Sequence, residues 1–281
     1  MRTDIPTGWS LATLALAALA AVTKAFGAFD PGTYRDGIWA ASQMRGADTV
    51  ALFTLVPLLA VAAVLARRGT PRGLVIWLAA LHLLVYDVAF YLYGAAFNAW
   101  FLSYAAMFAG ALVLLVAGLT RLDIDALGEA FSPATPRVWP AALLTLLGLG
   151  LGGLWVAQSI GFLLSGEVPS SVIASGHPTA LVFAIDLTLL VPFFFWGAAG
   201  LLAARPWGRV MAAAVATNGT IYTLLLFGMA VLADPTVVEG ATALIPLWLA
   251  LSLVCGTVAV GLLRHLPNGR ARDRTRPARP T

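Results

Sequence analysis

Apolar positions along this chain collect into eight long runs, parted by short polar, basic or Gly/Pro-containing stretches. The runs are 9–27, 49–66, 74–95, 98–118, 138–163, 180–203, 209–232 and 244–264. Each is near the roughly 20 residues that cross a bilayer core as a helix. The pattern predicts an all-α, polytopic membrane protein with eight transmembrane helices. The stretch between the first two runs, F-D-P-G-T-Y-R-D-G-I-W-A-A-S-Q-M-R-G-A-D, reads as a polar loop with an amphipathic middle. The first run resembles a secretory signal, with Arg2 before it and small residues after it. It is read as a retained helix because it has a counterpart in the second half of the chain. Residues 1–264 are taken as a single transmembrane domain and 265–281 as a disordered, Arg/Pro-rich cytoplasmic tail.

That counterpart comes from a faint internal repeat. Leu55-Val56-Pro57 recurs as Leu190-Val191-Pro192, and Pro71-x-Gly73 recurs as Pro206-x-Gly208. Both recurrences stand 135 residues on, without a gap. The offset suggests two similar four-helix halves, 1–120 and 138–264, in parallel orientation about an axis along the membrane normal. Chance is the competing explanation, because apolar helices share composition.

Polar residues inside the runs are the candidate chemistry. A carboxylate at the centre of a spanning helix costs about 2.5–3.5 kcal/mol on insertion scales, so it faces protein or water. The third run and the start of the fourth carry His82, Tyr86, Asp87, Tyr91, Tyr93 and Asn98. Asp87 and Tyr91 share one side of that helix, His82 and Tyr86 another. The sixth run carries Asp186. At 1.5 Å per residue, Asp186 lies about 9 Å and Asp87 about 12 Å below the outer surface, with Gln158 at about 8 Å and Tyr91 at about 6 Å. A shared polar layer predicts one outward-open cavity lined by both aspartates, with no lysine or arginine at that depth. The candidate substrate-binding residues are Asp87, Asp186, Tyr91, Gln158, His82 and Asn218. The structural alternative is that each aspartate holds the bundle in register, and that Asn218 with Thr217, Thr220 and Thr223 makes interhelical hydrogen bonds.

Composition agrees with the class. Only 11% of residues are charged, against about 25% in soluble domains, and mean hydropathy is +0.89. With both termini in the cytoplasm, fourteen arginines fall on the inner side, leaving Lys24, Arg35 and Arg45 outside. That asymmetry predicts the orientation and an even number of spans. Alanine, glycine and arginine richness suggests a high-GC bacterial genome, hence a bacterial cytoplasmic membrane. The net charge of +4 sits at helix ends and in the tail and is no nucleic-acid signature.

Several motifs are set aside on physical grounds. Gly148-x-Gly150-x-x-Gly153 matches a dinucleotide-binding pattern but lies in a spanning run, where Gly148 and Gly152 read as a helix-packing face. Asn218-Gly219-Thr220 fits a glycosylation site but sits mid-span. Cys255 is the single cysteine, so no intramolecular disulfide or CxxC relay exists. His82, His177 and His265 have no metal-ligand spacing, no GxSxG is present, and Lys24 is placed wrongly for a retinal protein. No catalytic residue, metal or cofactor is assigned.

The phrases D-V-A-F-Y-L-Y-G-A-A-F-N-A-W-F-L-S-Y and A-I-D-L-T-L-L-V-P, with the later R-P-W-G, resemble an uncharacterised group of bacterial eight-helix integral membrane proteins. The resemblance implies eight spans and no activity. It also associates the position of Asp87 with asparagine, which weakens a proton relay there. Three function classes fit. The first is a small-solute transporter or solute-binding permease with an outward-facing polar site. The second is an accessory or scaffold subunit of a membrane complex. The third is an intramembrane enzyme acting on a lipid or quinone, with Asp87 or His82 as acid or base. The partners implied are the lipid bilayer and a small-molecule ligand. A homo-oligomer or partner subunit stays open.

Overall fold

The computed structural model of the chain describes residues 4–233 and 240–267. Among them the fold is all-α, with eight helices long and apolar enough to cross a membrane. The spans are α1 (Thr7–Phe29), α2 with α3 (Ile38–Phe53, Leu55–Arg67), α4 (Pro71–Gly94) and α5 (Phe101–Arg121). A short α6 (Ile124–Glu129) leads to α7 (Val138–Ser165), and a short α8 (Ser170–Ser175) follows it. Then come α9 with α10 (Leu181–Leu189, Val191–Leu202), α11 (Pro206–Leu232) and α12 (Ile245–Leu263). The loop around Asp234 and the tail beyond residue 267 lie outside the described residues. Leu266 is buried, and the His265 carbonyl accepts from the Ser132 amide, so the chain is still packed on the bundle there.

The second span differs from the sequence reading. It begins at Ile38, not near residue 49, and takes Gln43, Arg45 and Asp48 into a helix. These polar residues had marked the stretch as a loop. They are tolerated because Asp48 is neutralised from a neighbouring helix and Gln43 is buried against the bundle.

Spans two and six each consist of two helical pieces, interrupted at Thr54 and at Leu190. Pro57 and Pro192 cause the interruptions. Proline lacks an amide hydrogen and its ring crowds the carbonyl four residues back, here that of Phe53 and of Thr188. Other ends are set locally. Thr70 caps α4 by accepting the Gly73 amide, ahead of Pro71 at the first turn, and Pro206 opens α11 in the same way.

α4 is the centre of the bundle. Of its most apolar window, 83% is inside the protein, against 22–56% for the other spans. Small residues set the closest approaches. Gly148 and Gly152 of α7 face Phe194, Phe195 and Val191, while Gly150 and Gly153 of the same motif face open space. The dinucleotide-like pattern is thus a packing face. α2 meets α11 backbone to backbone: a Cβ on Gly46 would sit 2.7 Å from the Gly228 carbonyl oxygen and 2.7 Å from Met229 Cα. Gly46→Val must push these helices apart. We expect a loss of about 1–3 kcal/mol, read as a lower melting temperature in detergent. A wild-type melt would show that the contact is not there.

The two ends of the bundle differ. Arg67, Arg68, Arg72, Arg121, Arg137, Arg205, Arg209 and Arg264 all lie at or next to helix ends on one side, with α6. There the Arg72 guanidinium donates to the Arg264 carbonyl and Arg209 to the Gly128 carbonyl. The opposite end carries the 30–37 segment, α8 and a crevice.

Candidate functional site

Two polar clusters lie inside the bundle, on different sides of α4. The first is ionic. Lys24 Nζ of α1 sits 2.9 Å from Asp48 Oδ1 of α2 and 2.7 Å from Asp87 Oδ2 of α4. All three side chains are at most 4% exposed. Tyr91 donates to Asp48 Oδ1 at 2.7 Å, and its ring lies 3.8 Å below the ammonium. Tyr34, from the segment between α1 and α2, folds in and donates to Asp48 Oδ2. Burial first, and the Asp48 carboxylate second, push the Tyr34 phenol well above its ordinary range, so it stays a donor. Gly27 makes room for this packing, since a Cβ there would strike both the Asp48 carboxylate and the Tyr34 hydroxyl.

The expectation that no lysine reaches the aspartates is therefore corrected. Lys24 looked like an interfacial residue because it lies five residues from the end of its helix. Its ammonium instead turns inward, where two carboxylates offset the cost of burying it.

The second cluster is built around Asp186 of α9, which has no exposed surface. Tyr86 of α4 donates to Oδ1 at 2.6 Å. The Trp155 indole of α7 donates to Oδ2 at 2.8 Å, and Tyr222 of α11 approaches the same oxygen at 3.3 Å. The Tyr86 and Tyr222 rings meet edge to face at 5.2 Å. All three donors are neutral. Among the described residues no cationic side chain pairs with Asp186.

The structure thus separates the two aspartates that the sequence placed in one cavity. Tyr86 and Asp87 are consecutive, and consecutive residues on a helix point about 100° apart. One therefore serves Asp186 while the other serves Lys24. Tyr91 joins the ionic cluster. Gln158 joins neither, because the residue of α7 that reaches Asp186 is Trp155, one turn earlier. His82 and Asn218 form a third contact: His82 Nδ1 lies 2.5 Å from Asn218 Nδ2, tying α4 to α11, and the histidine ring packs edge-on against Phe193.

The crevice adjoins the second cluster. It has a volume of about 170 Å³ and lies between the start of α2, the ends of α4, α7 and α11, and the start of α9, with α8 across it. Its walls are mainly apolar and include Trp39, Phe90, Trp155, Phe183 and Met229. Trp155 is its link to the interior. The same indole that donates to Asp186 lines the crevice and stacks on Phe183 at 4.2 Å. His177 also lines it, and its buried Nε2 has no hydrogen-bond partner. Gly176 ends α8 at φ +69, a conformation favouring glycine, and so turns the chain toward His177.

Comparison with family models, known proteins and solved structures finds no match for this chain. The site is therefore read from its own geometry. Among the described residues, no three His, Cys, Asp or Glu side chains converge as a metal site.

Lys24, Asp48, Tyr34, Trp155, Tyr222 and His177 were not among the candidate site residues read from sequence, although Tyr222 stands in the polar run around Asn218 and Lys24 and His177 were weighed for other chemistry. One signal was available: a solitary lysine within an apolar helix is a functional candidate in its own right. Asp48 was hidden by the loop assignment. Trp155 and His177 carried no pattern that sets them apart from bilayer-facing or loop residues.

Proposed function

We propose that this protein is a small-solute permease whose solute site is the crevice ending on Trp155 and Asp186. The observation that carries the reading is that crevice. It is the place where a buried polar cluster stands one side chain away from a cavity between helices. Its volume is below the roughly 300–1,000 Å³ of drug-sized sites, so its solute is small. The proline-interrupted spans two and six border it through α2 and α9, and such discontinuous spans beside a site are a transporter device. In this reading Asp186 is the solute-side carboxylate. Asp87 and Tyr91, with Lys24 and Asp48, fix spans one to three, while His82 and Asn218 couple α4 to α11. Gln158 stands on α7 and does not line the crevice.

The proposal includes two similar halves and an outward-facing crevice, with both termini in the cytoplasm. Arginines gathered at the opposite end support that orientation. The halves are supported by a parallel in the clusters. In each half a carboxylate of the second span is held by donors from the first and third: Asp48 by Lys24 and Tyr91, Asp186 by Trp155 and Tyr222. The apolar walls favour one other reading, an intramembrane enzyme acting on a lipid or quinone. Against it, Asp87 and His82, its acid–base candidates, do not line the crevice.

Uptake into proteoliposomes tests the permease. A panel of amines, amino acids, sugars and weak acids should contain one class whose saturable uptake needs the protein. Met229→Trp, which fills the crevice, should abolish it. No uptake of any class above protein-free vesicles would count against a permease, and full uptake by Met229→Trp would remove the crevice from it.

A further inference from the structure

We propose that the crevice binds a small organic monocation, an alkyl- or arylammonium, and that Trp155 is the gate between it and its carboxylate. The proposal rests on the crevice being the solute site and adds the chemical class of the solute.

Three observations converge. The first is charge. Asp186 is held by Tyr86, Trp155 and Tyr222, all neutral, whereas the other buried carboxylates, Asp48 and Asp87, share Lys24. A buried carboxylate with only dipoles around it projects a negative potential into the adjoining cavity, which concentrates cations and excludes anions. Among the described residues no arginine or lysine lines the crevice, so an anionic solute would find no cationic partner among them.

The second is the wall chemistry. Trp39, Phe90, Trp155 and Phe183 present aromatic surface to a cavity of about 170 Å³. Aromatic faces attract ammonium groups, most strongly when water is excluded, and also accept the apolar remainder of the solute. The stacked Trp155–Phe183 pair offers such a surface directly in front of Asp186.

The third is an unfilled hydrogen bond. His177 Nε2 is buried at the crevice with no partner. A protonated amine carries several N–H donors. One can donate to this nitrogen, while another competes with the Trp155 indole for Asp186 Oδ2. The ligand N–H then replaces the indole N–H on the carboxylate, and the indole swings back into the crevice wall. No covalent bond changes.

The test is direct binding to the full-length protein in lipid nanodiscs, by calorimetry. Propylammonium and phenethylammonium are the cationic probes, and 2-phenylethanol and phenylacetate are the neutral and anionic ones. At least one ammonium should bind saturably, and phenethylammonium at least about tenfold tighter than its neutral and anionic analogues. Asp186→Asn should erase that preference. Trp155→Phe, which keeps the aromatic wall and removes the competing N–H, should tighten ammonium binding several-fold. Should Asp186→Asn fail to fold, the Trp155→Phe shift decides alone. Equal or tighter binding of the alcohol or the acid overturns the proposal. So does an ammonium preference that survives Asp186→Asn, a Trp155→Phe variant that binds ammonium no more tightly, or no binding of either ammonium. Uptake of a neutral or anionic solute with no ammonium binding would leave the permease standing and this inference fallen. Ammonium binding without transport would do the reverse.

Discussion

Lys24→Met should be the most destabilising single substitution in the spans. Methionine keeps the length and apolar stem of lysine and removes only its charge. Asp48 would keep Tyr34 and Tyr91, but Asp87 would lose the cation it is paired with. Removing one partner of a buried ion pair typically costs about 3–5 kcal/mol, because the carboxylates left behind have given up water for nothing. The loss should appear as a strong drop in melting temperature in detergent. Lys24→Met combined with Asp87→Asn should recover part of it, since the amide carries no charge. The double-mutant cycle then reports the coupling between the two sites. A Lys24→Met protein that melts with wild type would show that Lys24 does not neutralise this cluster. A double variant no better than the single would assign the loss to packing.

Asp186→Leu should be nearly as severe, for the opposite reason. Leucine is close in shape, so little cavity forms. Three donors from α4, α7 and α11, the two tyrosines buried and the indole partly so, would instead be left without their acceptor. Each such group costs about 1–3 kcal/mol, and because they share one network the costs do not simply add. A total of about 3 kcal/mol or more is expected. Asp186→Asn should cost clearly less, about 1 kcal/mol. Its amide oxygen still accepts, and the tyrosine hydroxyls can turn to accept from its nitrogen. Melting curves of the two variants beside wild type check the order. Leucine tolerated as well as asparagine would mean that the three donors find other partners, and Asp186 would not be the knot joining these helices.

The membrane class and the eight spans were legible in the chain because the bilayer imposes a length and an apolar content on each segment. Inside hydrocarbon every backbone polar group must be satisfied within the helix itself, so a long apolar run has little choice of structure. The breaks near Pro57 and Pro192 are just as local, since the ring acts on its own turn, but the apolar pattern ran both spans unbroken and the prolines served there only as marks of the repeat. The start of the second span at Ile38 was not legible. Gln43, Arg45 and Asp48 look like loop residues until a partner on another helix is known.

The same reason limits the site. Sequence marked Asp87, Asp186 and Tyr91 as costly in a bilayer, and the structure gives each of them a polar partner. Which partner each one meets is a property of helix packing. Gly27 lets α1 and α2 approach closely enough for Lys24 to reach Asp48, and Gly46 with Gly228 sets the crossing of α2 and α11. Two consecutive residues, Tyr86 and Asp87, then face different neighbours and belong to different clusters. Tertiary structure alone decided that the two aspartates stand apart, and that an indole separates one of them from the crevice. Depth along a helix can be counted in residues, but the direction a side chain faces has meaning only once its neighbours are in place.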